Sequence, residues 1–472
     1  AITVLDTRGS GLGPPDIGAI RDSAGSYDGA FMLVAGLVCS ALLIATRFRL
    51  PKSSTGSAAL VSAMKKQIKP SDALRGVRYE IRGSLANRAH EMERRGYEII
   101  SLNIGNPGRF GFRAPETMRL AMIENLASAE AYSHQKGIFP AREAVVMQQQ
   151  SRGVAGVTAD DVFIGNGVSE LIDLTLRVLL DPGDEVLIPS PDYPLWTASV
   201  TLNQGKAVHY PCIPQSGFQP DIEAIERLVT PRTRAIVVIN PNNPTGAVYT
   251  EEALRAIARI AEKHQLVVFA DEIYDQITYD DARFIPMATL VNDTLCATFS
   301  GLSKVYRACG YRVGWVSFSG SRENARDYMH GLDLLASLRL CSNVPGQWAV
   351  QTALGGYQSI QDLVRPGGRL YESRRVIVDS VEASPYLYVN APRGALYAFI
   401  GVDRKVFPNF DDQRFALDLL EKKHLLVAPG SSFNTPDTNF FRITNLPDAE
   451  TLREVFARLQ DLLATHAAEQ AA

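Results

Sequence analysis

From about Thr158 to Gly314 the chain alternates short apolar runs with longer stretches of helical period, and each run stops on glycine or polar residues. "DVFIG" (161–165) leads to "NGVSELIDLTLRVLL", "RAIVVIN" (234–240) to "PNNPTG", "QLVVFA" (265–270) to "DEIYD", and "LCATFS" (295–300) to "GLSK". Runs with no polar face belong to strands covered on both sides, as in a mostly parallel sheet with helices on both faces. "TEEALRAIARIAEKH" (250–264) reads as a crossover helix, with Thr250 as N-cap, an acidic first turn, and Leu254, Ile257 and Ile260 on one face. The expected fold class is α/β. In open parallel sheets ligands sit at the carboxyl ends of the strands, so four segments distant in sequence should meet at one pocket.

Past about Val344 the pattern changes to a long helical region, "PGQWAVQTALGGYQSI", followed by shorter mixed elements such as "GALYAFIGV" and "LLVAPGSSF". With 472 residues, more than one core is expected. The organisation predicted is a large domain over 113–344, a smaller α+β domain from 64–112 with 345–472, and an N-terminal extension over 1–63. Within that extension, 29–46 is an uncharged apolar run followed by Arg47, Arg49 and Lys52. It reads either as a membrane anchor that leaves the remainder cytoplasmic, or as a start set too early, with Met64 as the true first residue. The extension contains no helix-turn-helix pattern. The 48 Lys+Arg against 51 Asp+Glu leave a net charge of −3, so no global field favours nucleic acid. Five scattered cysteines without a CxxC pair argue against a disulfide framework or a metal site, and for a reducing, cytoplasmic setting.

Candidate chemistry follows the strand ends. "GNGVSE" (165–170) offers backbone N–H groups and a helix dipole to an anion such as phosphate, although glycine at such a turn also serves geometry alone. In "INPNNPTGAVY" (239–249), Pro241 and Pro244 stiffen the loop that presents Asn242 or Asn243; a ligand-free Asx turn is the competing reading. Asp271 of "FADEIYD" ends an apolar strand, where a carboxylate needs a cation or hydrogen bonds, with helix capping as the plainer role. Tyr274 follows three residues later. Lys304 and Arg312 of "GLSKVYRACGYRVGW" complete the set. A lysine beside a phosphate loop, a buried aspartate and an arginine match what pyridoxal phosphate requires. The amine forms a Schiff base with the aldehyde, and the guanidinium pairs the phosphate.

On these residues the sequence resembles the class I aminotransferases of the fold-type I pyridoxal phosphate superfamily over roughly 68–465. Within it the resemblance is to the bacterial alanine (glutamate–pyruvate) aminotransferases, carried by "LNIGNPGRFGF", "YSHQKG", "PSPDYPLWTASV", "RLCSNVPGQWAVQTALGGYQSI" and "PRGALY" together with the segments above. It implies that Lys304 binds pyridoxal 5′-phosphate and shuttles the proton, and that Asp271 holds the ring nitrogen protonated. Asn243 and Tyr274 would bond the ring oxygen, and Tyr193 would stack on the ring. Gly167, Val168, Ser169 and Arg312 would hold the phosphate. Arg442 of "FFRIT" would clamp the substrate carboxylate with Gly105 alongside, in a site where Asn243 and Tyr193 also meet the substrate. Tyr132 would reach the phosphate of the neighbouring subunit in a homodimer. Where many relatives carry serine three positions before the lysine, this chain has Gly301, and Ser303 is the expected substitute.

The activity implied is transfer of an amino group between L-alanine or L-glutamate and 2-oxo acids. Two alternatives accompany it: a C–S β-lyase of the same fold, and an aminotransferase-like regulator, which the extension's lack of a DNA-binding pattern disfavours.

Overall fold

The computed structural model describes residues 68–77, 79 and 83–471; the apolar run at 29–46 and the alternative start at Met64 lie outside them. The chain divides into two units, Ala1–Pro70 and Ser71–Ala472. Only 68–70 of the first are described, and all the described helices and strands belong to the second. Among the described residues no helix is long and apolar enough to cross a membrane.

In chain order the second unit runs α1 (Ser84–Arg94), β1 (Ile100–Ser101), α2 (Glu116–Glu124), α3 (Phe139–Ser151), β2 (Val162–Gly165), α4 (Val168–Leu179), β3 (Glu185–Ser190), α5 (Pro194–Leu202), β4 (Lys206–Ile213) and β5 (Gln219–Pro220). It continues with α6 (Ile222–Leu228), β6 (Thr233–Ile239), α7 (Glu251–Lys263), β7 (Val267–Asp271), β8 (Leu295–Gly301), β9 (Gly314–Gly320), α8 (Arg326–Leu338), α9 (Val344–Gly355), α10 (Ile360–Val364) and α11 (Arg369–Glu382). The last part holds β10 (Leu387–Val389), β11 (Tyr397–Val402), α12 (Asp412–Lys423), β12 (Leu425–Leu426), β13 (Ala428–Pro429), β14 (Phe440–Thr444) and α13 (Ala449–Ala471).

Eight strands form one sheet in the order β2-β9-β8-β7-β6-β3-β4-β5. The pairs β3·β4, β3·β6, β6·β7 and β7·β8 are parallel, whereas β9 runs antiparallel to both β2 and β8, and β5 antiparallel to β4. Along β6, Ile236 and Val238 join one apolar core and Ala235, Val237 and Ile239 the other. The period-two geometry of a strand thus feeds both faces, and helices cover each: α3, α7 and α9 supply residues to the first core, α4, α5 and α8 to the second. The crossover helix is present as expected, with the Thr250 side chain accepting from Ala253 N and Leu254, Ile257 and Ile260 buried.

A four-stranded sheet, β10-β11-β14-β13, and the short parallel pair β1·β12 make the smaller layer. A separate core joins them, with Leu102, Ile377, Ile400, Phe441, Val455 and Leu459 among its members. Helix α9 packs instead against α2 and α3, and its Ala349, Val350 and Ala353 belong to the core of the large sheet.

Candidate active site

Strand register levels the carboxyl ends of the sheet. Ile239 pairs with Asp271 and Asp271 with Phe299, while Gly314 pairs with both Gly165 and Gly301. The loops that leave these ends enclose a cavity of about 730 Å³ lined by Gly105, Val168, Ser169, Tyr193, Asn243, Asp271, Tyr274, Ser303, Lys304, Arg312 and Arg442. Eleven of the thirteen residues singled out from the sequence therefore meet in one place. Gly167 borders it: at φ +86° it turns the chain into α4, and a Cβ there would overlap the Arg312 guanidinium. Tyr132 stands apart, 78% exposed.

Lys304 reaches into the cavity, half-buried, and its Nζ donates to the Gly105 carbonyl at 2.6 Å. Cys309 Sγ lies 3.9 Å from the same nitrogen. Asp271, 3% exposed, accepts from the Trp196 indole Nε1–H at 3.0 Å. Burial raises this carboxyl above its ordinary range, opposed by the Trp196 and Ile273 N–H groups and by the Lys304 ammonium. No described residue forms an ion pair with it at contact distance, and a protonated ring nitrogen would supply one. Trp196 was not singled out in the sequence, yet its place is readable: it lies three residues after Tyr193, in the first turn of α5.

The choice left open between two asparagines is resolved by their hydrogen bonds. Asn242 is absorbed by its own turn, with Oδ1 accepting from Thr245 N and Oγ1 at 3.2 and 2.7 Å. Asn243 faces the cavity, where its Oδ1 accepts from Arg442 Nη1 at 2.7 Å. Arg442, only 1% exposed, also donates through Nη2 to the Asn103 carbonyl, and its guanidinium lies between the rings of Tyr397 and Phe433, 4.1 and 4.6 Å from their centroids. Among the described residues its Nε has no hydrogen-bond partner. A buried guanidinium with a donor to spare suits a carboxylate.

Gly314 lets α4 approach the sheet, because a Cβ there would stand 2.5 Å from Val168 N. On the adjacent strand, a Cβ on Gly301 would stand 2.7 Å from the Val313 carbonyl oxygen and 2.9 Å from Gly314 Cα. A serine has no room at this position, so the departure from the related pattern follows from how tightly β8 and β9 close here. Ser303 lines the cavity. Arg312 sits exposed at the rim, bonded through Nη1 to the Cys309 carbonyl at 2.8 Å. Tyr79, Cys309 and Tyr397 are further lining residues that sequence reasoning did not single out; Tyr79 Oη lies 3.1 Å from Tyr193 Oη.

Next to Asp271, Glu272 is sealed in the core with Oε1 accepting from Met287 N at 2.8 Å. Burial pushes its carboxyl up to about 8, with the Met287 N–H and the Arg152 guanidinium pulling the other way. The protonated acid is thus the folded form at neutral pH. Its stabilising contribution is complete below about pH 4.5 and falls as pH rises towards about 8. Glu272→Gln, which keeps the shape and removes the titration, is expected to unfold at a temperature that pulls ahead of the parent by several degrees between pH 5 and 8. A difference that stays constant over that range would mean that Glu272 is ionised in the fold.

The sequence pattern of the family described as aminotransferase class I and II matches residues 97–459. The glutamate-pyruvate aminotransferase AlaA of Escherichia coli (strain K12) is 49% identical over 394 residues, covering 83% of this chain and 97% of that protein. The chain belongs to the class I and II aminotransferases. The alanine aminotransferase of Mycobacterium tuberculosis (strain H37Rv) is likewise 49% identical, across 83% of this chain and 92% of its own. Among solved structures, an aminotransferase from Escherichia coli superposes with a TM-score of 0.83 at 48% identity, covering 84% of this chain and 99% of the other. The alanine aminotransferase of Pyrococcus furiosus gives 0.80 at 35% identity, covering 84% and 100%. This aminotransferase thus shares its fold with them across nearly the whole of their length.

Proposed function

We propose that this aminotransferase moves an amino group between L-alanine or L-glutamate and 2-oxo acids, pyruvate and 2-oxoglutarate, with pyridoxal 5′-phosphate held in the cavity at the strand ends. The observation that carries the reading is the convergence of Lys304, Asp271 and Arg442 on that one cavity. When bound, pyridoxal phosphate supplies an aldehyde that takes up the amino group and a protonated ring that draws electrons from the substrate α-carbon. Asp271 would hold the proton on the ring nitrogen, and Asn243 would donate to the ring oxygen with Tyr274, whose O–H goes to Tyr397, beside it. Tyr193 covers the ring face. The Val168 and Ser169 N–H groups at the start of α4, turned into place by Gly167, would act with Ser303 and Arg312 on the phosphate. Arg442, with Gly105 beside it, grips the substrate carboxylate, and Lys304 Nζ takes and returns the α-proton.

The test is a screen of half-reactions: protein loaded with pyridoxal phosphate receives each amino acid in turn, without an acceptor, while the visible band is followed. L-alanine and L-glutamate should bleach the band, and pyruvate or 2-oxoglutarate should restore it. Failure of both amino acids to change the spectrum would overturn the reading. Release of pyruvate and ammonia from a single amino acid would instead favour the C–S β-lyase, which the names of the relatives do not support.

We further propose a homodimer in which Tyr132 reaches the phosphate site of the neighbouring subunit. Gln135 Nε2 donates to Asp333 Oδ1 at 3.2 Å, which brings the exposed Tyr132 segment to the helix bearing the exposed Leu334 and Leu338. Of the smaller domain expected over 64–112 with 345–472, residues 64–67 lie outside the described ones; within the second unit it is proposed to comprise the described residues of 71–112 and the chain after α10, because α9 and α10 contribute to the core of the large sheet. A reducing, cytoplasmic setting is the compartment proposed, in keeping with the unpaired Cys212, Cys296, Cys309 and Cys341.

A further inference from the structure

Tyr397 opens β11, and β11 pairs antiparallel with β14 so that Tyr397 faces Thr444 and Phe399 faces Arg442. The tyrosine is therefore the diagonal, same-face neighbour of the arginine, a separation that an aromatic side chain spans. Its ring lies under the Arg442 guanidinium at 4.1 Å. The hydroxyl goes elsewhere: it accepts from Tyr274 Oη at 3.1 Å, with the two rings edge to face. It also fills the place where a Cβ on residue 105 would stand, so Gly105 is glycine because of Tyr397. Only 3% of the side chain is exposed, yet it lines the cavity.

We propose that Tyr397 is a positioning residue for amino transfer: its ring face sets the plane of the Arg442 guanidinium for the substrate carboxylate, and its hydroxyl ties that clamp to Tyr274 on the cofactor side. The proposal rests on the amino-transfer reading. Burial disfavours ionisation of this hydroxyl, but the Lys304 and Arg442 cations outweigh it, which makes Tyr397 a strong acceptor for Tyr274.

Ring and hydroxyl are separable. In the loaded enzyme, Tyr397→Phe keeps the ring, so KM for amino acid and for 2-oxo acid should stay within about twofold of the parent. Loss of the hydroxyl frees the single Tyr274 O–H, otherwise donated to Tyr397, for the ring oxygen, so the pH midpoint of the visible band should move down by about half a unit. Tyr397→Leu should raise KM about tenfold or more for both substrates, since each carries a carboxylate. A leucine variant with KM within twofold of the parent would overturn the proposal, and so would a phenylalanine variant as impaired in KM as the leucine one. An unmoved midpoint in both variants would reduce the hydroxyl to a packing role and overturn that half of it. Should the leucine protein fail to fold, Tyr397→Met replaces it in the same comparison. If the parent itself takes up no pyridoxal phosphate, the functional reading falls and this proposal with it; a coloured, active parent with insensitive variants refutes Tyr397 alone.

Discussion

Replacing Lys304 with alanine is expected to reduce amino transfer by about 10⁴-fold or more and to abolish the visible band that the protein shows with pyridoxal phosphate. The side chain projects into open cavity and its Nζ bonds one carbonyl, Gly105, so truncation leaves no packed core exposed. Thermal unfolding should shift by no more than a few degrees, which separates loss of chemistry from loss of fold. Exchange at near-parental rates would refute the assignment of Lys304, whatever the family. No other amine among the described residues lines this cavity, and Arg312 and Arg442 carry guanidinium groups that stay protonated at neutral pH and so offer no nucleophile.

Arg442→Ala should raise KM for donor and acceptor by about 10²-fold and lower kcat by about tenfold, a combined cost near 4 kcal/mol in kcat/KM. Two losses add here. The substrate carboxylate forfeits a buried, charge-assisted partner, and Asn243 forfeits the Nη1–H that orients its side chain at 2.7 Å. The rings of Tyr397 and Phe433 would also lose the cation between them. Arg442→Lys retains charge without the planar fork and should fall between the two, closer to alanine because a lysine cannot serve Asn243 and a carboxylate with one geometry. An unchanged KM in the alanine variant would move the carboxylate clamp to another residue.

Much of this site was legible because strand ends punctuate the sequence. Val162–Gly165, Thr233–Ile239, Val267–Asp271 and Leu295–Gly301 are buried along nearly their whole length and stop at, or just before, residues that line the cavity. Period and punctuation are local signals, so they give both the strands and the edge on which chemistry gathers. The asparagine pair was not resolved by the same means. Whether Asn242 or Asn243 turns outward depends on Thr245 and Arg442, and the second lies 199 residues away.

By itself the sequence determined the α/β class, the crossover helix, the four strand ends and the identity of Lys304, Asp271 and Arg442 as candidates, the last through family resemblance. Tertiary structure alone decided that β9 inserts antiparallel between β2 and β8, that Gly301 must be small against Val313 and Gly314, and that Trp196 and Tyr397 brace the two charged groups. The physical reason is range: helical and strand periods are written in neighbours a few residues apart, whereas a buried charge finds its partners only after distant strands are in register.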